Sequence, residues 1–186
     1  MAELFFIYND KFYPANTPVI TPGKCSLRYG DGLFETMKIV EGKIINKDFH
    51  FERLFTGLGL LQFDIPKNFH ADFFFDKISE LVKKNNHVAS ARVRLMIFRG
   101  NGEIFDPENL RPNYIIESWP LSNEMTLNAN GLVVDVFSGP KKSCDNFSNL
   151  KSNNYLPYVM AGLYAKNNNL NDCILLNSFD RVCDSA

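Results

Sequence analysis

Residues 150–166 read Leu-Lys-Ser-Asn-Asn-Tyr-Leu-Pro-Tyr-Val-Met-Ala-Gly-Leu-Tyr-Ala-Lys, and the interpretation of the whole chain starts from this segment. A lysine, Lys151, stands just before a helical pattern. An apolar strand pattern follows at 172–177, and a carboxylate, Asp184, follows a turn. This order predicts that a lysine and an acid approach one edge of a sheet.

The tract at 28–39, Arg-Tyr-Gly-Asp-Gly-Leu-Phe-Glu-Thr-Met-Lys-Ile, is the most informative part of the first half. It begins as a turn and continues as a strand with alternating apolar residues. The strand ends at Glu41-Gly42, where a tight turn reverses the chain into 43–45. Its two glycines permit backbone geometry that other residues rarely adopt.

A helical pattern begins at Asp48, which we place at the helix cap. His50 and Arg53 are three residues apart and therefore share one helix face. The planar guanidinium of Arg53 can bind an anion through two parallel N–H groups, which a lysine cannot do. We interpret His50 as a structural histidine.

These three segments together resemble the class IV aminotransferases, which are the fold-type IV pyridoxal-phosphate enzymes. The tract at 28–39 resembles the family's Tyr/Phe-Gly-Asp-Gly-x-Phe-Glu signature, and 50–54 resembles its His-x-x-Arg-Leu element. The resemblance implies a mixed α/β (α+β) chain with the two-domain D-amino-acid aminotransferase-like fold. Members of the family continue well past the position of Asp184, so we expect a second domain that is incomplete in this chain.

Pyridoxal 5'-phosphate needs an amine, a carboxylate for its ring nitrogen and cations or N–H groups for its phosphate. By resemblance, Lys151 is the Schiff-base lysine, Arg53 binds the phosphate and Tyr155 donates to the ring hydroxyl. Asp184 would meet the ring nitrogen, where the family usually has glutamate. Taken singly, a lysine before a helix is usually a solvated charge, and an acid after a strand is usually a turn residue.

Three residues are candidates for substrate binding. Tyr29 and Phe34 would line the substrate pocket, with packing in the core as the alternative for both. Arg99, at a strand end before Gly100, resembles an arginine of the D-amino-acid aminotransferase and aminodeoxychorismate lyase branches that can meet a substrate carboxylate. The alternative for Arg99 is a solvated strand end.

The remaining pattern predicts an opening hairpin at 4–13, a helix at 71–84, a strand at 88–98 and a proline-punctuated loop at 105–112. We expect an N-terminal α/β domain at 1–118, a linker at 119–127, and the first part of a cofactor-binding domain at 128–186.

Composition limits the partners. The formal net charge of -1 gives no electrostatic reason to expect nucleic acid or an anionic membrane. The four cysteines show no paired spacing, so we expect no disulfide framework, no zinc site and a reduced cytoplasmic location. The opening residues resemble no export signal or membrane span. The resemblance alone implies a homodimer.

The leading functional hypothesis is transfer of an amino group between an amino acid and a 2-oxo acid. Aminodeoxychorismate lyase, which releases 4-aminobenzoate with the same cofactor, is the closest alternative. Tyr155 favours the transaminase, whereas Arg99 suits the lyase or the D-amino-acid branch. A non-catalytic α/β module is an alternative of another class, and it would bind no pyridoxal phosphate.

Overall fold

The computed structural model describes residues 3–100, 102, 110–122 and 128–186. The chain divides into two compact units, Met1–Asn123 with Leu150–Asn153, and Glu124–Asn149 with Asn154–Ala186. The short segment around Lys151 is therefore grouped with the first unit, although the sequence pattern assigned it to the second domain. The expected loop at 105–109 and the expected linker residues 123–127 lie outside the described part of the chain.

The first unit is built on a six-stranded antiparallel sheet with the order β2-β1-β6-β5-β3-β4. Its strands are β1 (Phe5–Tyr8), β2 (Lys11–Pro14), β3 (Gly32–Val40), β4 (Lys43–Ile44), β5 (Ser90–Arg99) and β6 (Pro112–Pro120).

Two tight turns place these strands as the sequence predicted. Asn9 and Asp10 have φ values of 44° and 67° and close the opening hairpin. Glu41 and Gly42, at 48° and 74°, reverse β3 into β4. Both pairs lie in the left-handed region that two-residue hairpin turns need. The two predicted hairpins are confirmed.

Three helices accompany the sheet: α1 (Cys25–Tyr29), α2 (Lys47–Leu60) and α3 (Ala71–Lys84). The predicted bounds of α3 are confirmed. The predicted cap of α2 is wrong, because Asn46 occupies the cap position and Asp48 lies in the first turn. There its charge still favours the positive end of the helix dipole. The short α1 was not predicted, and it ends at Gly30 in the left-handed conformation.

The core lies on one face of this sheet, under α2 and α3. Alternate residues of the long strands point into it, including Leu33, Met37, Val93, Leu95 and Ile116. The intervening residues of β3, β5 and β6 therefore share the opposite face: Phe34, Thr36, Arg92, Arg94, Met96, Glu117 and Trp119.

In the part of the second unit that the structure describes, there are a three-stranded sheet and one helix. β7 (Val134–Lys142) pairs in parallel with β8 (Asp172–Asn177), and α4 (Leu156–Asn167) connects them. β9 (Val182–Ser185) is antiparallel to β8 and carries Asp184. A small core holds α4 against the sheet: Phe137, Ala161, Ala165, Cys173 and Leu175. Among the described residues, none of the helices is long and apolar enough to cross a membrane.

Candidate active site

The backbone of residues 151–153 runs along one edge of β3. The Phe34 N–H donates to the Lys151 carbonyl at 2.8 Å, and the Asn153 N–H donates to the Gly32 carbonyl at 3.0 Å. Between these bonds, Leu33 and Ser152 form an antiparallel bridge. Lys151 is therefore held by strand pairing, and α4 begins only at Leu156.

The side chain of Lys151 lies on the same face of β3 as Phe34, because these residues are paired neighbours. Its Nζ is 4.9 Å from the centre of the Phe34 ring. The Arg94 guanidinium carbon is 4.0 Å from the same ring centre. Phe34 is 3% exposed, so the predicted pocket aromatic is covered by two cations. Cations are attracted to the face of an aromatic ring.

Gly32 lies where β3, β5 and the Asn153 side chain come close together. A Cβ at this position would lie 2.5 Å from the Asn153 side-chain nitrogen and 2.6 Å from the Ile97 carbonyl oxygen. Real Cβ atoms do not come so close to other atoms. The Asn153 side chain can rotate away but the Ile97 carbonyl is fixed in β5, so the glycine of the signature tract chiefly allows β3 and β5 to pair closely beside residues 151–153.

Arg53 is held by a buried acid, Glu35, which is 1% exposed. The Arg53 Nε donates to Glu35 Oε1 at 2.7 Å, and Nη2 donates to Oε2 at 2.6 Å. The His50 Nδ1 lies 2.7 Å from Oε2, which supports the structural role expected for this histidine. Hydrogen bonding to Glu35 raises the pKa of Arg53 despite partial burial. Sequence reasoning had given Glu35 no role, although its partners share one face of α2.

Phe34 and Glu35 are consecutive strand residues and point to opposite faces of β3. The Lys151 amine and the Arg53 guanidinium therefore approach β3 from opposite faces. Residues 151–153 pair with the start of this strand, and β4 pairs only with its end. Within the described ranges, no strand pairs with this edge at positions 35–37. The two cations contact consecutive residues of β3, Phe34 and Glu35.

Arg94 also lines a recess of about 320 Å³ with Thr36, Met96 and three further residues, Arg92, Glu117 and Trp119. Its Nε is buried and has no hydrogen-bond partner among the described residues. Burial raises the pKa of Glu117, although the charges of Arg94 and Arg92 act in the opposite direction. A buried donor without a partner is costly, so this arginine is suited to an anion. Sequence reasoning treated Arg94 only as part of a strand.

In the second unit, Asp184 accepts hydrogen bonds from three groups. The Tyr158 hydroxyl donates to Oδ2 at 2.6 Å, and the Lys142 ammonium donates to the same oxygen at 3.3 Å. The Ser185 N–H donates to Oδ1 at 3.0 Å. Burial opposes ionisation, but these bonds and the Lys142 charge together lower the pKa of Asp184. The acid therefore remains charged near neutrality.

Tyr155 comes immediately before α4 and stacks on Tyr158, with ring centres 4.0 Å apart and an interplanar angle of 9°. Tyr158 thus contacts both Tyr155 and Asp184, the two predicted cofactor residues of this unit. Its spacing from Tyr155 was visible in the sequence. The approach of Lys142 was not, because it depends on how β7 and β9 flank β8.

Arg99 and Tyr29 are placed differently from Phe34. Arg99 donates to Asp31 Oδ1 at 2.6 Å and to the Leu61 carbonyl, and it packs 4.2 Å from the centre of the Phe63 ring. By strand alternation it lies on the opposite face from Arg94. This arrangement supports a scaffolding role, and carboxylate binding by Arg99 stays a prediction. Tyr29, the last residue of α1, is 46% exposed.

Comparisons with known proteins agree with this architecture. Residues 32–186 match the family described as "Amino-transferase class IV". A Methanocaldococcus jannaschii protein, provisionally named as a branched-chain-amino-acid aminotransferase, is 28% identical over 179 residues. That alignment covers 91% of this chain and 58% of the relative.

Two solved structures share the fold. The branched-chain aminotransferase of Thermoproteus uzoniensis with norvaline has a TM-score of 0.81 and 20% identity, covering 99% of this chain and 63% of that one. A Legionella pneumophila protein, provisionally named as a 4-amino-4-deoxychorismate lyase, has a TM-score of 0.73 and 20% identity, covering 92% and 61%. The chain thus spans less than two thirds of the length of these relatives. It belongs to the class IV aminotransferase family.

Proposed function

We propose that this chain carries part of the active site of a pyridoxal-phosphate-dependent aminotransferase, with Lys151 attaching the cofactor. The observation that carries the proposal is the position of the Lys151 amine. Its backbone is paired with β3, and its Nζ lies 4.9 Å from the centre of a buried aromatic ring. A reacting amine has to be held in one place, and this arrangement provides that.

Each unit carries residues of the types that pyridoxal phosphate needs, and class IV aminotransferases use this cofactor. Lys151 provides the amine, and Asp184 provides a carboxylate that its neighbours keep ionised. The Arg53 side chain is 45% exposed although its partner Glu35 is buried. The two bonds to Glu35 use Nε and Nη2 of Arg53 and do not involve Nη1. When bound, the cofactor supplies an aldehyde and an electron-withdrawing ring.

The residues of the chain have distinct tasks in this proposal. Glu35 and His50 fix the Arg53 guanidinium, so that its remaining N–H groups are oriented before a phosphate binds. Asp184 holds a negative charge toward the ring nitrogen. Lys151 holds or moves a proton at its Nζ whenever that amine is not bonded to the cofactor. Tyr155 donates to the ring hydroxyl.

Arg94 is our proposed partner for the substrate carboxylate. In an amino acid or a 2-oxo acid, the carboxylate is attached to the carbon that reacts. Its binding group must therefore lie near the reacting amine. Lys151 and Arg94 meet this requirement, since both lie over the Phe34 ring. The adjoining recess of about 320 Å³ is within the range of small-molecule sites.

The test of the proposal is chemical labelling of the chain. Pyridoxal phosphate is added, the adduct is reduced with borohydride and the modified lysine is located by mass spectrometry. Visible absorbance and label should both disappear in Lys151→Ala and persist in Lys166→Ala, which removes an exposed lysine of α4. Labelling that is unchanged in Lys151→Ala would refute the assignment. The non-catalytic alternative predicts no visible absorbance at all.

The lyase remains the second candidate, because one solved lyase-named structure shares the fold and Arg99-Gly100 resembles that branch. The engagement of Arg99 by Asp31 weakens this argument, so we favour the transaminase. Product formation from aminodeoxychorismate, compared with D-alanine or branched-chain amino acids plus 2-oxoglutarate, separates the candidates. A cytoplasmic location and a homodimer are part of the same proposal.

A further inference from the structure

The surroundings of Asp184 are unusually complete for an acid on a short outer strand. Tyr158 and Lys142 both meet Oδ2, and the Ser185 N–H meets Oδ1. A carboxylate has about four acceptor positions. Within the described part of the chain, three of these positions are used.

These groups come from three different elements. Lys142 ends β7, Tyr158 lies in the first turn of α4, and Asp184 is on β9. The Lys142 ammonium also lies 5.7 Å from the centre of the Tyr158 ring, so the three side chains contact one another. Stacking against Tyr155 limits rotation of the Tyr158 ring. The Asp184 carboxylate is therefore bonded to a tyrosine whose own ring is fixed by stacking.

We propose that Lys142 and Tyr158 are positioning residues for Asp184, which keep its carboxylate charged and oriented toward the cofactor ring nitrogen. The inference rests on the proposed function and deepens it. An aspartate has one methylene fewer than glutamate, so its direction is set by fewer bonds and by its partners. Neither Lys142 nor Tyr158 touches the reacting atoms in this role.

A further titratable group next to the carboxylate is a cysteine, and Tyr155 lies behind Tyr158. The Cys183 thiol precedes Asp184 on β9, and its pKa is raised by burial and by the Asp184 charge, while Lys142 acts in the opposite direction. Cys144 contributes a smaller effect on Cys183. The substitutions below leave both cysteines in place, so their influence on Asp184 is common to every variant.

The experiment follows the Asp184 carboxyl carbon by NMR in protein labelled with ¹³C at aspartate carboxyls, and Asp184→Asn identifies the signal. Lys142→Met and Tyr158→Phe should each raise the titration midpoint by about one pH unit. Lys142→Arg should keep the titration midpoint of the wild type, because it keeps the positive charge at position 142. Tyr164→Phe is the matched control, since it removes a 2.8 Å tyrosine bond to Asp135 in the same unit. It should leave Asp184 unchanged.

A second measurement uses the cofactor-loaded protein. The visible absorbance of the bound cofactor is titrated with pH. Its midpoint should shift in Lys142→Met and Tyr158→Phe and should be unchanged in Tyr164→Phe. Unchanged Asp184 titration in both variants, or an equal shift in Tyr164→Phe, would overturn the proposal. Failure of the proposed function would show separately, as wild-type protein without cofactor attached at Lys151. If Lys142→Met does not fold, Tyr158→Phe decides the question.

Discussion

Phe34 donates its backbone N–H to the carbonyl of Lys151, and the amine of the same lysine lies over the Phe34 ring. One residue of the signature tract thus fixes both the backbone and the side chain of the proposed catalytic lysine. The rest of the chain between Glu124 and Ala186 belongs to the other unit. The position of the amine is consequently a property of the first unit, and changes in β3 should be felt at Lys151.

Gly32→Ala tests this dependence. The added Cβ would meet the fixed Ile97 carbonyl oxygen of β5 and the movable end of the Asn153 side chain at less than 3.0 Å, so the start of β3, with which residues 151–153 pair, must shift. We expect unfolding free energy to fall by about 2–3 kcal/mol, in the range of other overpacking changes. Attachment of pyridoxal phosphate should fall at least tenfold. Urea unfolding and cofactor titration measure the two effects.

Gly59→Ala is the control for that substitution. Gly59 lies in α2, and nothing stands within 4 Å of its added Cβ. Replacing an exposed helix glycine should stabilise the protein by about 0.5 kcal/mol, with cofactor attachment unchanged. Equal effects of the two substitutions would contradict the tight packing around Gly32 and its effect on Lys151.

Arg53→Ala should leave Glu35 buried with His50 as its remaining side-chain partner. Removing one member of a fully buried ion pair costs about 3–5 kcal/mol, and the partial exposure of Arg53 reduces this to about 2 kcal/mol. Arg53→Lys keeps the charge but loses the two-point geometry, so its cost should be smaller. Thermal and urea unfolding measure both variants.

Lys47→Ala provides the comparison, because it breaks an exposed ion pair with Asp72 that starts from the same helix. Its effect on stability should be small. The proposed phosphate role adds a second expectation: both Arg53 variants should weaken pyridoxal-phosphate binding while Lys47→Ala does not. Full cofactor affinity in Arg53→Ala would remove Arg53 from the site.

Sequence patterning predicted the elements of this fold better than the partners within the site. The hairpin turns and α3 followed from local residue preferences, and these act over a few residues. The pairing of Glu35 with Arg53 depends on α2 lying over β3, which local patterns do not encode. Arg94 was overlooked for a similar reason. An alternating strand shows which residues share a face, but not that Phe34 and Lys151 occupy the same face.

The missed support of Asp184 has the same origin. Lys142 is separated from Asp184 by a helix and one strand, and only the sheet order brings the ends of β7 and β9 together. Lys151 does precede a helix as predicted, but the pairing of its backbone with β3 could not be read from local patterns. Resemblance to the family predicted the cofactor residues. The neighbours that hold their side chains depend on tertiary packing and could not be predicted.

Arg94 offers a test of substrate binding. Arg94→Lys retains a positive charge but cannot bind a carboxylate through two parallel N–H groups. We expect KM for amino acid and 2-oxo acid substrates to rise about tenfold, equivalent to about 1.4 kcal/mol, with a smaller change in kcat. Arg92→Lys, on the same strand and face, is the matched control. A larger effect at Arg92 would place the carboxylate site further along β5.

The lowered pKa of His87 leads us to expect that the first unit loses stability as the pH falls. It is 7% exposed, and its Nδ1 lies 3.0 Å from the Ser118 hydroxyl oxygen. Burial lowers its pKa, so the folded state favours neutral His87. The contribution of His87 to the free energy of unfolding is therefore complete above the ordinary histidine pKa of about 6.5. It is lost as the pH falls through the lowered pKa of the folded state. The difference between wild type and His87→Gln in urea unfolding, measured from pH 8 to 5, should shrink toward acid. A difference independent of pH would contradict this account.

The raised pKa of Tyr158 leads us to expect that the protein also loses stability at alkaline pH. Burial, followed by its hydrogen bond to Asp184, raises the pKa of Tyr158 to about 12, and the pKa of Lys142 is also raised, because bonds to Tyr158 and Asp184 outweigh its burial. A raised folded-state pKa gives stability that is complete below the unfolded value, about 10 for tyrosine, and is lost as pH rises toward the folded value. Unfolding free energy should thus decline between about pH 10 and 12, and Tyr158→Phe should remove part of that decline. Absorbance near 295 nm should show one tyrosine titrating near pH 12 in wild type and missing from the variant. An alkaline titration near pH 12 that is the same in wild type and in Tyr158→Phe would show that the bond to Asp184 does not hold in solution.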